Sequence, residues 1–223
     1  MFESQPVILA SAAVGGPFEA KGNLARDFDL LHDDIWLGQT SFEKAEKTLL
    51  EEACEITIRK AGLKKEDVGF FLAGDLMNQI ISSSFTARTL AVPYLGLYGA
   101  CSSAMEGLAL ASLIVDSQFG DKVLAGTSSH NGASEKQYRY PTEYGAQKPP
   151  TAQWTVTGAG AVLVGKNGTG PRVTSATIGR VIDMGLSDPF NMGGAMAPAA
   201  VDTIEAHFRD RGIAPDYYDL IVT

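Results

Sequence analysis

The sequence predicts an α/β fold, in which helices pack against the faces of a β-sheet. Three observations support this prediction. Strand-like apolar runs alternate along the chain with longer stretches of helical spacing. One run, Val68 to Ala73, is almost continuously apolar, which is typical of a central parallel strand covered on both faces. A later helix, Ser102 to about Val115, is apolar on nearly every side, and this pattern predicts burial between two layers.

Turn residues and helix caps predict the bounds of the first strand and the first helix. Val7 to Ala13 is a predicted strand, and the glycines and proline directly after it end it. A mixed loop over residues 18 to 41 precedes a strong helix, for which Ser41 is the predicted N-cap. Apolar side chains recur at helical spacing as far as Gly62, which suits the C′ position.

The middle of the chain contains the segment around which the other elements are arranged. A second predicted helix, about Ser84 to Leu90, leads to a strand that begins at Tyr94. Gly99 and Ala100 then allow a sharp turn into the apolar helix, which places Cys101 at a helix N-terminus. There, free N–H groups and the helix dipole favour a thiolate. Cys101 is therefore a candidate nucleophile or anion-binding residue, although an inert buried cysteine has the same pattern.

The following segments predict more strands and one long loop. Lys122 to Gly126 is a short strand that is followed by polar residues up to Asn131. Residues 132 to 155 show little periodicity, and a loop of this length usually has a functional role. Val156 to Val164 and Arg172 to Arg180 are predicted to form an antiparallel pair around a glycine-rich turn.

An internal repeat links the two ends of the chain. Residues 59 to 73 resemble residues 209 to 223 without a gap, and the helix before the first copy returns as Met196 to Phe208. Two unrelated helix-turn-strand units could also look alike. If the repeat is genuine, the chain holds one complete half of a two-fold structure and the opening helix and strand of a second half.

Composition excludes several classes of protein. The 223 residues include 18 Lys+Arg and 26 Asp+Glu, which gives a net charge of −8 and no basic cluster, so nucleic acid is not an expected partner. Two cysteines do not indicate a disulfide framework. We expect no signal peptide, no transmembrane segment and no metal site.

Longer motifs give the sequence a resemblance to a known family. Two related α/β halves, with a cysteine on the turn before a buried helix, resemble the thiolase superfamily. The residues that narrow the resemblance are Phe70 to Gln79, Gly99 to Glu106, Thr127 to Asn131, Arg139 to Gly145 and Met196 to Ala200. Together they are similar to the stage V sporulation protein AD family.

The resemblance implies a thiolase-like fold, a layered α/β structure with a buried central helix. It implies an N-terminal half at residues 1–180 and a truncated C-terminal half at residues 181–223. It also implies a protein of endospore formers that binds dipicolinic acid or its calcium chelate and supports uptake into the forespore. The implied location is the spore inner membrane beside SpoVA partners, and the implied full-length form is a homodimer without a further cofactor.

The candidate binding residues come from the sequence pattern and from the ligand that the family resemblance implies. Asp75, Asn78, Cys101, Ser102 and His130 follow predicted strands, where ligands collect in doubly wound folds, but Asp75, Asn78 and His130 equally suit helix or loop caps. For a flat dianion such as dipicolinate, the long loop offers further donors and an aromatic surface, namely Arg139, Tyr140 and Gln147.

Three functions remain open from the sequence. The first is a non-catalytic dipicolinate-binding protein with a thiolase-like fold. The second is an acyl-CoA condensing enzyme of the thiolase or ketoacyl synthase type with Cys101 as nucleophile, which would also need a base and oxyanion donors. The third is a structural adaptor with a vestigial pocket.

Overall fold

A computed structural model describes residues 1–138, 154–188 and 191–223. The chain divides into two compact units, Met1–Ser175 and Ala176–Thr223. In the described part, no helix combines the length and the apolar character needed to cross a membrane.

The first unit contains a six-stranded sheet and four α-helices among its described residues. The strands are β1 (Val7–Gly15), β2 (Leu30–Leu31), β3 (Phe70–Asp75), β4 (Tyr94–Gly96), β5 (Lys122–Ser129) and β6 (Gly158–Gly165). The helices are α1 (Phe42–Lys60), α2 (Ile81–Leu90), α3 (Ser103–Asp116) and α4 (Asn131–Tyr138). The second unit contains α5 (Met192–Arg211).

The sheet has the strand order β2-β1-β6-β5-β3-β4. Strand β3 is parallel to both of its neighbours, β4 and β5, and β6 is antiparallel to β1 and β5. Helices α1 and α2 pack on one face of the sheet in a core that includes Leu49, Leu50 and Phe71. Helix α3 packs on the other face, where Ala111 and Val115 belong to the same core as Val123. The predicted α/β class is therefore confirmed.

The ends of α1 match the cap prediction. Ser41 Oγ accepts a hydrogen bond from Lys44 N at 3.3 Å, as an N-cap does. After the helix, Gly62 has a φ of +69°, a left-handed conformation that glycine adopts without steric cost. The sequence therefore located both ends of this helix.

Helix α3 is buried on one face only among the described residues, so one of the two layers predicted to cover it is present. Its buried positions are small or slender side chains, namely Ser103, Gly107, Ala111, Ser112 and Val115. On the outer face, Met105 is 66% exposed and Leu113 is 50% exposed. The apolar composition of α3 indicates that a layer of structure covers each of its two sides, and the sheet is the layer that the described residues provide.

The predicted hairpin between residues 156–164 and 172–180 is half right. The first strand forms as β6, but β6 is paired on both edges, with β1 and with β5. No edge of β6 is left for Arg172 to Arg180. Arg172 makes one isolated antiparallel bridge, to Val7, and the described residues 173–188 contain no strand.

The predicted loop over residues 132–155 is wrong at its start, where α4 forms. Helix α4 begins directly after β5 and packs near the N-terminal end of α1, since Lys136 Nζ lies 2.7 Å from Glu43 Oε1. Residues 139–153 lie outside the described residues.

The second unit repeats the local geometry at the end of α1. Gly212 has a φ of +63° after α5, as Gly62 has after α1, and a 3-10 turn follows at Pro215–Tyr217, as one does at Lys65–Asp67. The backbone hydrogen bond that Leu63 N donates to Ile58 O measures 3.1 Å, and the corresponding hydrogen bond from Ile213 N to Phe208 O also measures 3.1 Å. The predicted strand of the second copy is absent, because the described residues 218–223 have no hydrogen-bonded neighbour strand.

Candidate functional site

The carboxyl ends of β3, β4 and β5 lie at one edge of the sheet because these strands are parallel. Asp75 is the last residue of β3, Cys101 follows β4 through a short turn, and His130 comes directly after β5. Ligands of α/β proteins commonly bind outside this edge. The topology thus brings the segments that contain these three predicted residues to the same side of the first unit.

Cys101 lies in the 3-10 turn Ala100–Ser102, which runs directly into α3. Ala100 has a φ of +46°, a left-handed conformation that costs a residue with a Cβ roughly 1–2 kcal/mol. Cys101 is exposed. The predicted position at the start of a helix is therefore confirmed, and Cys101 is not buried among the described residues.

A glycine at position 99 leaves room for two side chains beside the turn before Cys101. A Cβ atom there would collide with a carboxylate oxygen of Glu106 and would lie 2.7 Å from Ser102 Oγ. This close approach holds Glu106, in the first turn of α3, beside the backbone that leads to Cys101. Its carboxylate sits at the positive end of the helix dipole, where an anionic ligand would also be stabilised.

The two serines after Cys101 have different surroundings. Ser102 is exposed, and its Oγ donates a hydrogen bond to Gly99 O at 2.8 Å. Ser103 is buried, and its Oγ has no hydrogen-bond partner among the residues that the structure describes. Gly74 lies directly beneath it, because a Cβ at that position would be 2.9 Å from Ser103 Oγ. Ser102 can therefore reach a ligand, whereas Ser103 packs against the sheet.

Asp75 is buried, and both of its carboxylate oxygens accept from protein donors. Oδ1 accepts from Met77 N at 3.0 Å, and Oδ2 accepts from Ser83 N at 2.8 Å and from Ser83 Oγ at 2.6 Å. Burial raises the pKa of Asp75, while these hydrogen bonds act against that shift. Asp75 thus fastens the start of α2 to the end of β3, as the cap interpretation of this residue predicts.

A second acidic residue, Glu46 of α1, lies near Asp75 and was not found from the sequence. Glu46 is completely buried, and its Oε1 accepts a hydrogen bond from Ser128 Oγ at 3.0 Å. Its Oε2 has no hydrogen-bond partner within the described part of the chain. Burial raises the pKa of Glu46 to about 8, and the charge of Asp75 adds to this shift. Its helical spacing from Leu49 and Leu50 was the available signal, since it places Glu46 on the apolar face of α1.

His130 is buried and has a protein partner at each ring nitrogen. Nδ1 accepts from Gly132 N at 3.0 Å, and Nε2 lies 2.8 Å from Ile35 O, to which it donates. These partners fix a neutral ring, because a backbone N–H can only donate and a carbonyl can only accept. Burial also lowers the pKa of His130. The His130 ring stacks on the Phe42 ring of α1, with 4.8 Å between the ring centroids. Through these contacts His130 links α4, α1 and the early loop that contains Ile35.

The other two histidines also have hydrogen-bond partners. His32 Nε2 lies 2.6 Å from Glu52 Oε2 of α1. In the second unit, His207 hydrogen-bonds Thr177 Oγ1 and Tyr218 Oη, each at 2.7 Å. Within the described residues, no hydrogen bond joins a histidine to the Cys101 thiol, and no three His, Cys, Asp or Glu side chains group as metal ligands would.

Several predicted residues cannot be placed. Arg139, Tyr140 and Gln147 lie outside the described residues. The backbone of Asn78 belongs to a 3-10 turn, Asn78–Ile80, that follows β3, and its side chain is also outside the described part. Of the predicted binding residues, the structure thus leaves Cys101 and Ser102 open to solvent and engages Asp75 and His130 with protein partners.

A cavity of about 350 Å³ lies on the α3 face of the sheet. Its walls include Ala104, Met105 and Leu108 from the first half of α3 and Thr127 from β5. None of the predicted binding residues that the structure describes lines this cavity. It begins a few residues beyond Cys101 and has the volume of a small-ligand pocket.

Comparison with known proteins assigns the family. The whole chain, residues 1–223, matches the family model for Stage V sporulation protein AD (SpoVAD). The chain belongs to the stage V sporulation protein AD family. It is 47% identical over 223 residues to the stage V sporulation protein AD of Bacillus subtilis (strain 168), and the match covers 100% of this chain and 66% of that protein. The chain thus spans slightly less than two thirds of the curated relative's length.

Solved structures confirm the fold expected for this family. A cysteine-to-serine variant of OleA from Xanthomonas campestris, solved with bound lauric acid and lauroyl-CoA, aligns with a TM-score of 0.66 at 12% identity, over 98% of this chain and 77% of that one. Cerulenin-bound OleA aligns with a TM-score of 0.63 at 14% identity, over 96% and 74%. The chain therefore has a thiolase-like fold.

Proposed function

We propose that this chain belongs to a non-catalytic sporulation protein that binds dipicolinate at the sheet edge around Cys101. Membership of the SpoVAD family and the thiolase-like fold support a role in spore formation. The exposed turn that contains Cys101 and Ser102 supports binding at this edge, since a helix N-terminus attracts carboxylates through its free N–H groups.

The observation that favours binding over catalysis is that, within the described residues, no hydrogen bond joins a histidine to the Cys101 thiol. Acyl transfer through a cysteine needs a group that removes its proton. The three histidines of the chain are engaged with Glu52, with Ile35 and Gly132, and with Thr177 and Tyr218. Within the described residues, Cys101 is therefore an accessible thiol without an evident activating partner.

The wider role is also a proposal. We infer that the full-length protein acts at the spore inner membrane with SpoVA proteins, as a homodimer, and supports the uptake of dipicolinate or its calcium chelate. The family assignment supports this role.

Two assays on the protein at its full natural length test the proposal. Calorimetry with dipicolinate should detect binding, and a thioester-cleavage assay with acetyl-CoA and longer acyl-CoA substrates should show no turnover. Arg139→Ala should weaken dipicolinate binding by roughly 1.5–3 kcal/mol, the range for a hydrogen bond to a charged group.

The two assays separate the competing functions. Acyl-CoA turnover that disappears in Cys101→Ser would make the protein a condensing enzyme and overturn the proposal. No dipicolinate binding and no turnover would favour the structural adaptor instead.

A further inference from the structure

A second cavity lies on the opposite face of the sheet from α3, in a groove between α1 and α2. Its volume is about 520 Å³. Two large apolar side chains of α2 line it and remain open to solvent, since Ile81 is 39% exposed and Phe85 is 48% exposed. With Arg88 they follow the i, i+4, i+7 spacing of one helix face. The groove therefore has an apolar strip that ends at a cation.

The charges around this strip are predominantly positive. Lys44, Lys47 and Arg88 line the groove. Both carboxylates that line it are paired with lysines, Glu43 with Lys136 and Glu51 with Lys47, each at 2.7 Å. Lys44 Nζ donates to Thr40 Oγ1 at 3.0 Å, and among the described residues neither Lys44 nor Arg88 has a carboxylate partner.

We propose that this groove binds an acidic amphipathic helix of a partner protein. Apolar side chains of such a helix would cover Ile81 and Phe85, and its flanking carboxylates would reach Lys44 and Arg88. A groove between two helices suits a helix with anchors at i, i+4 and i+7. The groove lies on the face of the sheet that α1 and α2 cover, opposite α3, and none of the predicted binding residues that the structure describes lines it.

The distribution of charge restricts an acidic partner to the groove. The chain has a net charge of −8, so its long-range field repels an acidic partner from most of the surface. At physiological salt this field is screened beyond about 8 Å. Inside the groove, the positive charges of Lys44 and Arg88, which have no carboxylate partner among the described residues, then determine the local electrostatic potential. The exposure of Ile81 and Phe85 also favours a helix that covers both side chains over a small ligand, which would normally be largely enclosed.

A labelled synthetic peptide tests this inference on the full-length protein. The probe is a helix of about five turns with leucine at helical spacing and glutamate on both flanks, and its binding is followed by fluorescence anisotropy. Phe85→Ser and the double variant Lys44→Glu, Arg88→Glu should each weaken binding at least about tenfold. Raising the salt from about 50 to about 500 mM should weaken binding to the unmodified protein.

Matched controls change similar groups elsewhere. Leu113→Ser removes an equally exposed apolar side chain from α3, and Lys166→Glu reverses an exposed charge in a loop; both should stay within about twofold of the unmodified protein. The inference is overturned if groove variants and controls bind alike, or if the same peptide with lysine in place of glutamate binds as tightly. Binding of dodecanoate with loss in the groove variants, without peptide binding, would instead identify a small-molecule site.

Discussion

The two cysteines show, at the scale of single residues, how strongly surroundings decide what a thiol can do. Cys54 lies in α1 with no exposed surface, and burial raises the pKa of its thiol, with the charges of Glu51 and Glu55 adding to the shift. Cys101 is exposed in the turn before α3. Only the thiolate reacts with common labels, so burial and the raised pKa both act against Cys54.

Thiol labelling of the folded protein should therefore modify Cys101 much faster than Cys54. Iodoacetamide at mildly alkaline pH, followed by peptide mass spectrometry, measures both rates in one sample. In concentrated guanidinium chloride the difference should nearly vanish. Equal rates in the folded protein would remove Cys101 from the candidate site.

Glu46 gives the protein an unusual dependence of stability on pH. Its pKa is about 8 in the folded protein, against 4.5 for an ordinary glutamate, and burial is the main cause. Between these values the unfolded chain loses the proton and the folded protein keeps it. The free energy of unfolding then falls as pH rises, by at most about 1.4 kcal/mol per pH unit for this one group.

Glu46→Gln should flatten this dependence, because the amide keeps the shape of the side chain and cannot ionise. Urea unfolding at several pH values between about 5 and 8 measures the slope for both proteins. Glu55→Gln, an exposed position on the same helix, is the control and should keep the slope of the unmodified protein. An unchanged slope in Glu46→Gln would show that Glu46 is already ionised in the folded protein.

At the scale of elements, the repeated helix end is the clearest agreement between sequence and structure. Gly62 and Gly212 both adopt positive φ after their helices, and a Cβ at either position would meet no atom within 4 Å. Any cost of a side chain there is therefore backbone strain and not collision.

Gly62→Ala should lower the free energy of unfolding by about 1 kcal/mol, since alanine adopts the left-handed conformation poorly. Gly62→Asn should cost less, because asparagine tolerates that conformation. Denaturant unfolding of the three proteins measures both changes. A loss in Gly62→Asn as large as in Gly62→Ala would contradict strain as the cause.

Local patterns predicted elements well, and pairing partners poorly. The caps of α1 and the turn at Cys101 depend on neighbouring residues, so the sequence was sufficient to locate them. The strand expected at Arg172 to Arg180 failed because β6 found both of its neighbours far away along the chain. The proximity of Glu46 to Asp75 was missed for the same reason, since α1 meets the end of β3 only after packing.

At the scale of the whole molecule, the outer face of α3 lacks, among the described residues, the second covering layer that its apolar sequence predicts. Large apolar side chains such as Met105 and Leu113 remain exposed there. Exposed apolar surface on one helix face commonly leads to association. The net charge of −8 opposes this only weakly at physiological salt.

The 223-residue chain should therefore self-associate in solution. Sedimentation velocity across a range of protein concentrations should show species larger than the 23.6 kDa monomer. The double variant Met105→Lys, Leu113→Lys should shift the distribution towards monomer, and Lys166→Glu should not. A monodisperse monomer at all concentrations would show that the exposed apolar face of α3 does not cause self-association.

The position of β6 between β1 and β5 has a consequence for synthesis on the ribosome. Val7 pairs with Gly165 and Gly15 pairs with Gly158, so the first strand waits for nearly the whole first unit to be made. At about 5–20 residues per second, this delay is on the order of 10 s or more. During that time the emerging chain presents an apolar strand without its partner, which is the form that holding chaperones bind.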